Sequence, residues 1–96
     1  MTSAPTTNQA VVKVYKTQRC AYCVMVSRLL DRKGVAYQEI WLDGKPEERA
    51  ALQAQTNWRT VPQVFIGEHF IGGFTETAAA DRSGELDRLL KEGSGS

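Results

Sequence analysis

An α/β fold, built as a mixed four-stranded sheet with helices on both faces, is predicted by three features of this 96-residue chain. Its first half alternates β-branched runs with segments of helical spacing, the pattern of a βαβ unit. Two short apolar runs around a Gly-Glu pair then read as a hairpin. Helical segments close the chain. The element order is β-α-β-α-β-β-α.

Val11-Val12-Lys13-Val14-Tyr15 is β-branched and aromatic and reads as a buried strand. Lys16 to Arg19 is a polar break. From Ala21 to Lys33 there is neither Gly nor Pro, and Tyr22, Val26, Leu29 and Leu30 fall at helical spacing. Gly34 closes that helix, with Arg32 and Lys33 at the end where cations suit the dipole. Ala36 to Leu42 reads as a second strand, parallel to the first through a right-handed crossover. Asp43-Gly44 is a turn. Pro46, followed by Glu47 and Glu48, opens a helix to about Gln55. Val64-Phe65-Ile66, Gly67-Glu68 and His69-Phe70-Ile71 form the hairpin. Gly72-Gly73 breaks the strand and Thr75 is expected to cap a helix starting at Glu76. Ser83-Gly84 separates a last helical segment ending at Leu90. Residues 1–10 read as a flexible tail, 11–92 as one domain and 93–96, Gly-Ser-Gly-Ser, as a linker-like tail.

Twelve Lys and Arg against eleven Asp and Glu give a net charge of +1, which argues against nucleic acid or an anionic membrane as partner. A hydrophobic share of 42% is too high for a disordered chain. No apolar run approaches the ~18 residues of a membrane span. MTSAPTTNQA has neither a basic start nor an apolar stretch, so a secretory signal is not expected and a cytoplasmic location is.

The two cysteines, Cys20 and Cys23, carry the chemistry. A loop this short staples little. Taken alone, C-x-x-C is also half of a zinc site or an inert buried pair. Structural zinc needs four ligands, and His69 brings the total only to three. The pair falls where the first strand ends and the first helix begins, beside Lys16 and Arg19. A helix start favours the ionised form of a sulfur there. Cys20, at or before the first turn, gains most; Cys23, one turn in, faces the core. That pattern points to thiol–disulfide exchange: Cys20 attacks a disulfide and Cys23 resolves the mixed disulfide. With a single His, a Cys-His protease arrangement is unsupported.

Two further segments carry bland and sharp readings. Pro62 in Thr60-Val61-Pro62 is either a strand-entry proline or a cis-proline that turns the Val61 backbone toward Cys20 and leaves it free to pair with an extended peptide. Gly72-Gly73-Phe74-Thr75-Glu76 is either an ordinary turn or a helix start offering N–H groups to a carboxylate. His69, Trp41 and Trp58 read as structural or surface residues, Trp58 bordering the groove beside Arg59.

Together, Cys20-Ala21-Tyr22-Cys23, Thr60-Val61-Pro62-Gln63-Val64-Phe65-Ile66 and Ile71-Gly72-Gly73-Phe74-Thr75 make the chain resemble a glutaredoxin of the small bacterial dithiol type, over residues 11 to 91. The resemblance implies a thioredoxin-like fold and glutathione as co-substrate. It implies an enzyme that reduces protein–glutathione mixed disulfides and protein disulfides, with Cys20 as nucleophile and Cys23 as resolving thiol. By the same resemblance Tyr22 flanks the glutathione sulfur. Val61, before a cis-Pro62, pairs with the cysteinyl backbone, and Arg59 lies near the glycine carboxylate. Gly73, Phe74 and Thr75 hold the γ-glutamyl carboxylate. The chain departs from the family in carrying Ala21 where Pro is usual, Thr17 where Lys is usual, and Thr75 where an acid is common, so Glu76 is expected to meet the ligand ammonium. Members lacking that Pro tend to bridge two protomers through a [2Fe–2S] cluster, which makes a cluster carrier or sensor on Cys20 the alternative to a monomeric enzyme. A redoxin recharged by thioredoxin reductase is another.

Overall fold

The β-branched run near the start forms a central strand, because its alternation lets both faces be covered. The computed structural model describes residues 10–95. Its elements are β1 (Val12–Lys16), α1 (Ala21–Arg32), β2 (Gln38–Trp41), α2 (Pro46–Thr56), β3 (Gln63–Ile66), β4 (His69–Gly72), α3 (Phe74–Ser83) and α4 (Glu85–Gly95). The sheet order is β2-β1-β3-β4. β1 pairs parallel with β2 and antiparallel with β3, and β3 pairs antiparallel with β4. This is the expected mixed α/β sheet, a βαβ half joined to a hairpin.

Each face of the sheet buries its own cluster. Val12, Val14, Val64 and Ile66 pack against Val26, Leu29 and Leu30 of α1 and Leu86 and Leu90 of α4. On the other face Phe65 packs with Leu42 and with Leu52 of α2, and Tyr15 and Phe70 lie against them. Leu30 and Leu86 are fully buried, and each contributes about 1.5–3 kcal/mol from water exclusion. Leu29 and Leu30 anchor α1, and so they also fix where its N-terminus, with Cys20, meets the end of β1.

The structure departs from the sequence pattern at several ends. β1 begins one residue later and takes in Lys16, read as part of a polar break. Lys16 continues the inward alternation of Val12 and Val14, and its ammonium finds partners inside. Ala10, assigned to the tail, is buried, and its N–H donates to the Leu90 carbonyl (3.0 Å), which ties it to α4. α3 starts at Phe74 with Gly73 as N-cap, so Thr75 is not the cap. Gly73 takes the extended conformation of a cap, and the Glu76 carboxylate reaches back to accept its N–H (3.0 Å). Gly84, at φ +86°, separates α3 from α4. α4 runs past Leu90, into residues read as a tail, as far as Gly95. Leu86 and Leu90 dock the helix, and each further residue adds one backbone bond. The rest of the two tail readings, residues 1–9 and Ser96, lies outside the described residues. Among the described residues no helix is long and apolar enough to cross a membrane.

Candidate functional site

Cys20 is the N-cap of α1, with extended backbone angles (φ −136°, ψ 107°). Its sulfur accepts the Cys23 N–H at 3.1 Å, the bond an N-cap side chain makes to an otherwise unpaired first-turn amide. The same sulfur stands 3.5 Å from the Val61 carbonyl, to which its S–H donates. Both cysteines are free thiols, Cys20 partly exposed and Cys23 1% exposed.

Burial first, and then its bond to Cys20, push the Cys23 thiol up to about 12; the Thr17 N–H and the Lys16 charge pull the other way. One thiol of the pair is therefore offered to solvent and the other is kept protonated behind it. Iodoacetamide near neutral pH is expected to label Cys20 and spare Cys23 in the folded protein, read by peptide mass. Equal labelling of both would contradict this division.

The Val61–Pro62 bond is cis, as the sharper reading of that segment has it. It turns the Val61 carbonyl toward Cys20, so that carbonyl is not free but is held by the thiol. Gln63 holds the loop before it. This side chain is 1% exposed; its amide donates to the carbonyls of Trp58 (2.9 Å) and Thr60 (3.2 Å) and accepts from the Thr56 hydroxyl (2.9 Å). Sequence reasoning missed this residue, which looks like an ordinary polar strand position. A second anchor it missed is Asp43, whose carboxylate accepts the Gln18 N–H at 3.1 and 3.2 Å and fixes the approach to Cys20.

Beside the sulfur runs an open cleft of about 110 Å³, lined by Tyr22, Trp58, Thr60, Val61, Pro62, Gly73, Phe74, Thr75 and Glu76. It is shallow, so a ligand lies along it rather than within it. Tyr22 is well exposed and stacks on Phe74 (centroids 6.2 Å apart, planes at 20°). Trp58 lines the cleft, sits edge-on to Phe70 at 5.6 Å, and keeps its indole N–H buried without a partner. The first helical bond of α3 runs from the Thr77 N–H to the Gly73 carbonyl (3.0 Å). The N–H groups of Phe74 and Thr75 precede it and have no partner within the helix, so the positive end of α3 opens on the cleft. A Cβ added at Gly73 would sit 3.4 Å from the Pro62 carbonyl and 3.4 Å from Glu76 Oε1, in ordinary contact with both sides of the cleft.

Of the residues singled out in the sequence, Tyr22, Val61, Pro62, Gly73, Phe74 and Thr75 thus gather in one cleft with Cys20 at its end. Arg59 does not line it: its side chain is exposed and its carbonyl accepts from Gln53. Glu76 lines it, with one carboxylate oxygen already bonded to Gly73. Lys16, expected to add positive potential beside Cys20, points into the fold and is paired with Glu39 (2.9 Å).

A family model described as glutaredoxin matches residues 12–71. The chain is similar to a glutaredoxin of Pseudomonas aeruginosa, 49% identical over 82% of this chain and 94% of that one. It is similar to glutaredoxin 3 of Escherichia coli K12, 40% identical over 85% of this chain and 99% of that one. Among solved structures it resembles a buckwheat glutaredoxin–glutathione complex, with a TM-score of 0.81 and 38% identity, over 86% of this chain and 78% of that one.

Proposed function

The chain belongs to the glutaredoxin family of thiol–disulfide oxidoreductases, with their thioredoxin-like fold, and on that premise we propose that it reduces protein–glutathione mixed disulfides and protein disulfides with glutathione as co-substrate. The single observation that carries this reading is the N-cap sulfur of Cys20, 3.5 Å from Val61 O, at the end of a cleft that the α3 N-terminus also faces.

In the proposed reaction the Cys20 sulfur, as thiolate, attacks the glutathione sulfur of a protein mixed disulfide. The Cys20–glutathione bond forms as the old S–S bond breaks, and the protein leaves as a thiol after taking a proton. Once Cys20 is in a disulfide it has no S–H to give, so the Val61 carbonyl is released to pair with the cysteinyl N–H of the bound tripeptide. The Val61 N–H pairs with the cysteinyl carbonyl in the same way. Tyr22 flanks the sulfurs. The amides of Phe74 and Thr75, with Gly73 beside them, receive the γ-glutamyl carboxylate, and the free oxygen of Glu76 faces its ammonium. Arg59, exposed between two lining residues, meets the glycine carboxylate at the rim. A second glutathione, or Cys23, then resolves the intermediate. The enzyme acts as a monomer. Its setting is the cytoplasm, because regeneration needs a reducing glutathione pool.

A [2Fe–2S] role rests on Ala21 alone. Of the two thiols, Cys20 is the one within reach of solvent, and among the described residues no group of three or more His, Cys, Asp or Glu gathers to hold a metal. The chain does not supply a cluster site by itself, and no step is assigned to one.

The test compares regeneration by glutathione with glutathione reductase against regeneration by thioredoxin reductase, alongside NMR shifts of the glutathionylated Cys23→Ser protein. Turnover with glutathione, and shifts confined to the Cys20 junction, the cleft residues Tyr22, Val61, Gly73, Phe74, Thr75 and Glu76, and Arg59 at the rim, are expected. Turnover with thioredoxin reductase alone, or shifts elsewhere, would overturn the reading.

A further inference from the structure

Lys16 is an unusual side chain to bury. It is 5% exposed, yet its ammonium lies inside, 2.6 Å from Ser27 Oγ and 2.9 Å from Glu39 Oε2, and 5.0 Å from the centre of the Trp41 ring. Ser27 lies four residues after Cys23, so the two share a face of α1 about 6 Å apart at Cβ. Thr17, the next residue after Lys16, gives its N–H to the Cys23 sulfur. The ammonium is therefore fixed on the face of α1 that carries the buried thiol. A buried ion pair is a weak source of stability, which leaves the field of the fixed charge as the more informative property.

We propose that Lys16 is a positioning residue for the resolving step, its ammonium held by Ser27 and Glu39 so that a fixed positive charge faces Cys23 as it loses its proton. This rests on the oxidoreductase reading above. In the step concerned, the Cys23 sulfur gives up its proton and attacks Cys20 Sγ of the Cys20–glutathione disulfide. The Cys20–Cys23 bond forms, the bond to glutathione breaks, and glutathione leaves as a thiol carrying one proton, so protons and electrons balance. The burden on this step is the proton, because burial pushes the Cys23 thiol up. The groups that face Cys23 and can ease its loss are the N–H of Thr17, just after β1, and the Lys16 charge; Cys20, the N-cap of α1, acts against it while it is a thiol, and Glu39, on β2, opposes Lys16. Trp41 covers the ammonium from its other side.

The experiment measures, by rapid acid quench and mass, how fast the preformed Cys20–glutathione disulfide converts to the Cys20–Cys23 disulfide. Lys16→Met is expected to slow it about threefold, a tenfold loss of thiolate being partly offset by a more nucleophilic sulfur, and to move its pH profile upward by about one unit. Glu39→Gln, at a half-exposed position that leaves the core intact, is expected to act in the opposite sense. When Cys23 is already serine, adding Lys16→Met is expected to change the reduction of mixed disulfides no further. An unchanged conversion rate and pH profile in both charge variants, or an equal loss in the Cys23→Ser background, overturns the role of Lys16. If the wild-type chain never forms the glutathione disulfide at Cys20, it is the oxidoreductase reading that fails instead.

Discussion

Cys20→Ser is expected to lose activity toward both glutathione mixed disulfides and protein disulfides, by on the order of 10³-fold or more, because a hydroxyl is not ionised at neutral pH and cannot replace a sulfur nucleophile. Cys23→Ser is expected to divide the two activities. It keeps mixed-disulfide reduction, since a second glutathione can attack the Cys20 intermediate from solvent. It loses protein-disulfide reduction, since the intermediate with a bulky protein is normally cleared from within. The asymmetry follows from exposure: Cys20 faces the cleft, whereas Cys23 is 1% exposed and reaches only Cys20 and its buried neighbours. Steady-state assays with a glutathionylated peptide and with a disulfide-linked protein measure the two branches. Equal losses in the two variants would contradict the division of roles.

The parts of this site legible in the sequence are those where local chemistry alone fixes the backbone. A C-x-x-C at a strand-to-helix junction, a Val-Pro before a strand and a Gly-Gly before a helix each constrain the chain within a few residues. Those three segments do meet in one cleft. What stayed hidden depends on partners distant in sequence. Gln63 is polar, but β3 is the strand between β1 and β4 and all four of its residues are buried, so the side chain is satisfied by Thr56, Trp58 and Thr60. Lys16 reads as surface until the alternation Val12-Val14 is carried one step further, which puts it on the core face where only Ser27 and Glu39 make it tolerable. Ala10 carries no local signal at all; its burial comes from α4, at the other end of the chain. The N-cap of α3 lies two residues before Thr75, the better side-chain cap, because the backbone of Gly73 and the returning Glu76 carboxylate satisfy the helix start instead.

Gly72→Ala tests how far the cleft depends on that same junction. Gly72 sits at φ +125°, in a region that residues with a Cβ scarcely populate. A Cβ there would lie 2.8 Å from Glu76 Cγ and 2.9 Å from Glu76 Cβ. The second atom is fixed to the first turn of α3 and cannot swing away as a side-chain tip can. Either β4 or the start of α3 must move. Strain and displacement together are expected to cost about 2–4 kcal/mol in chemical denaturation. The Glu76 bond to the Gly73 N–H goes with the displacement, and the amides of Phe74 and Thr75 leave their places at the cleft. Glutathione binding, followed by NMR titration, is therefore expected to weaken as well. Gly34→Ala is the comparison: φ is +72° there, with nothing within 4 Å of the added atom. It is expected to cost about 1–2 kcal/mol and to leave binding unchanged, since a left-handed backbone penalty alone falls there, at the far end of α1. If the two variants lose stability alike and Gly72→Ala binds glutathione as the wild type does, the α3 start is not the carboxylate cradle, and the orientation given to the tripeptide in the cleft is wrong.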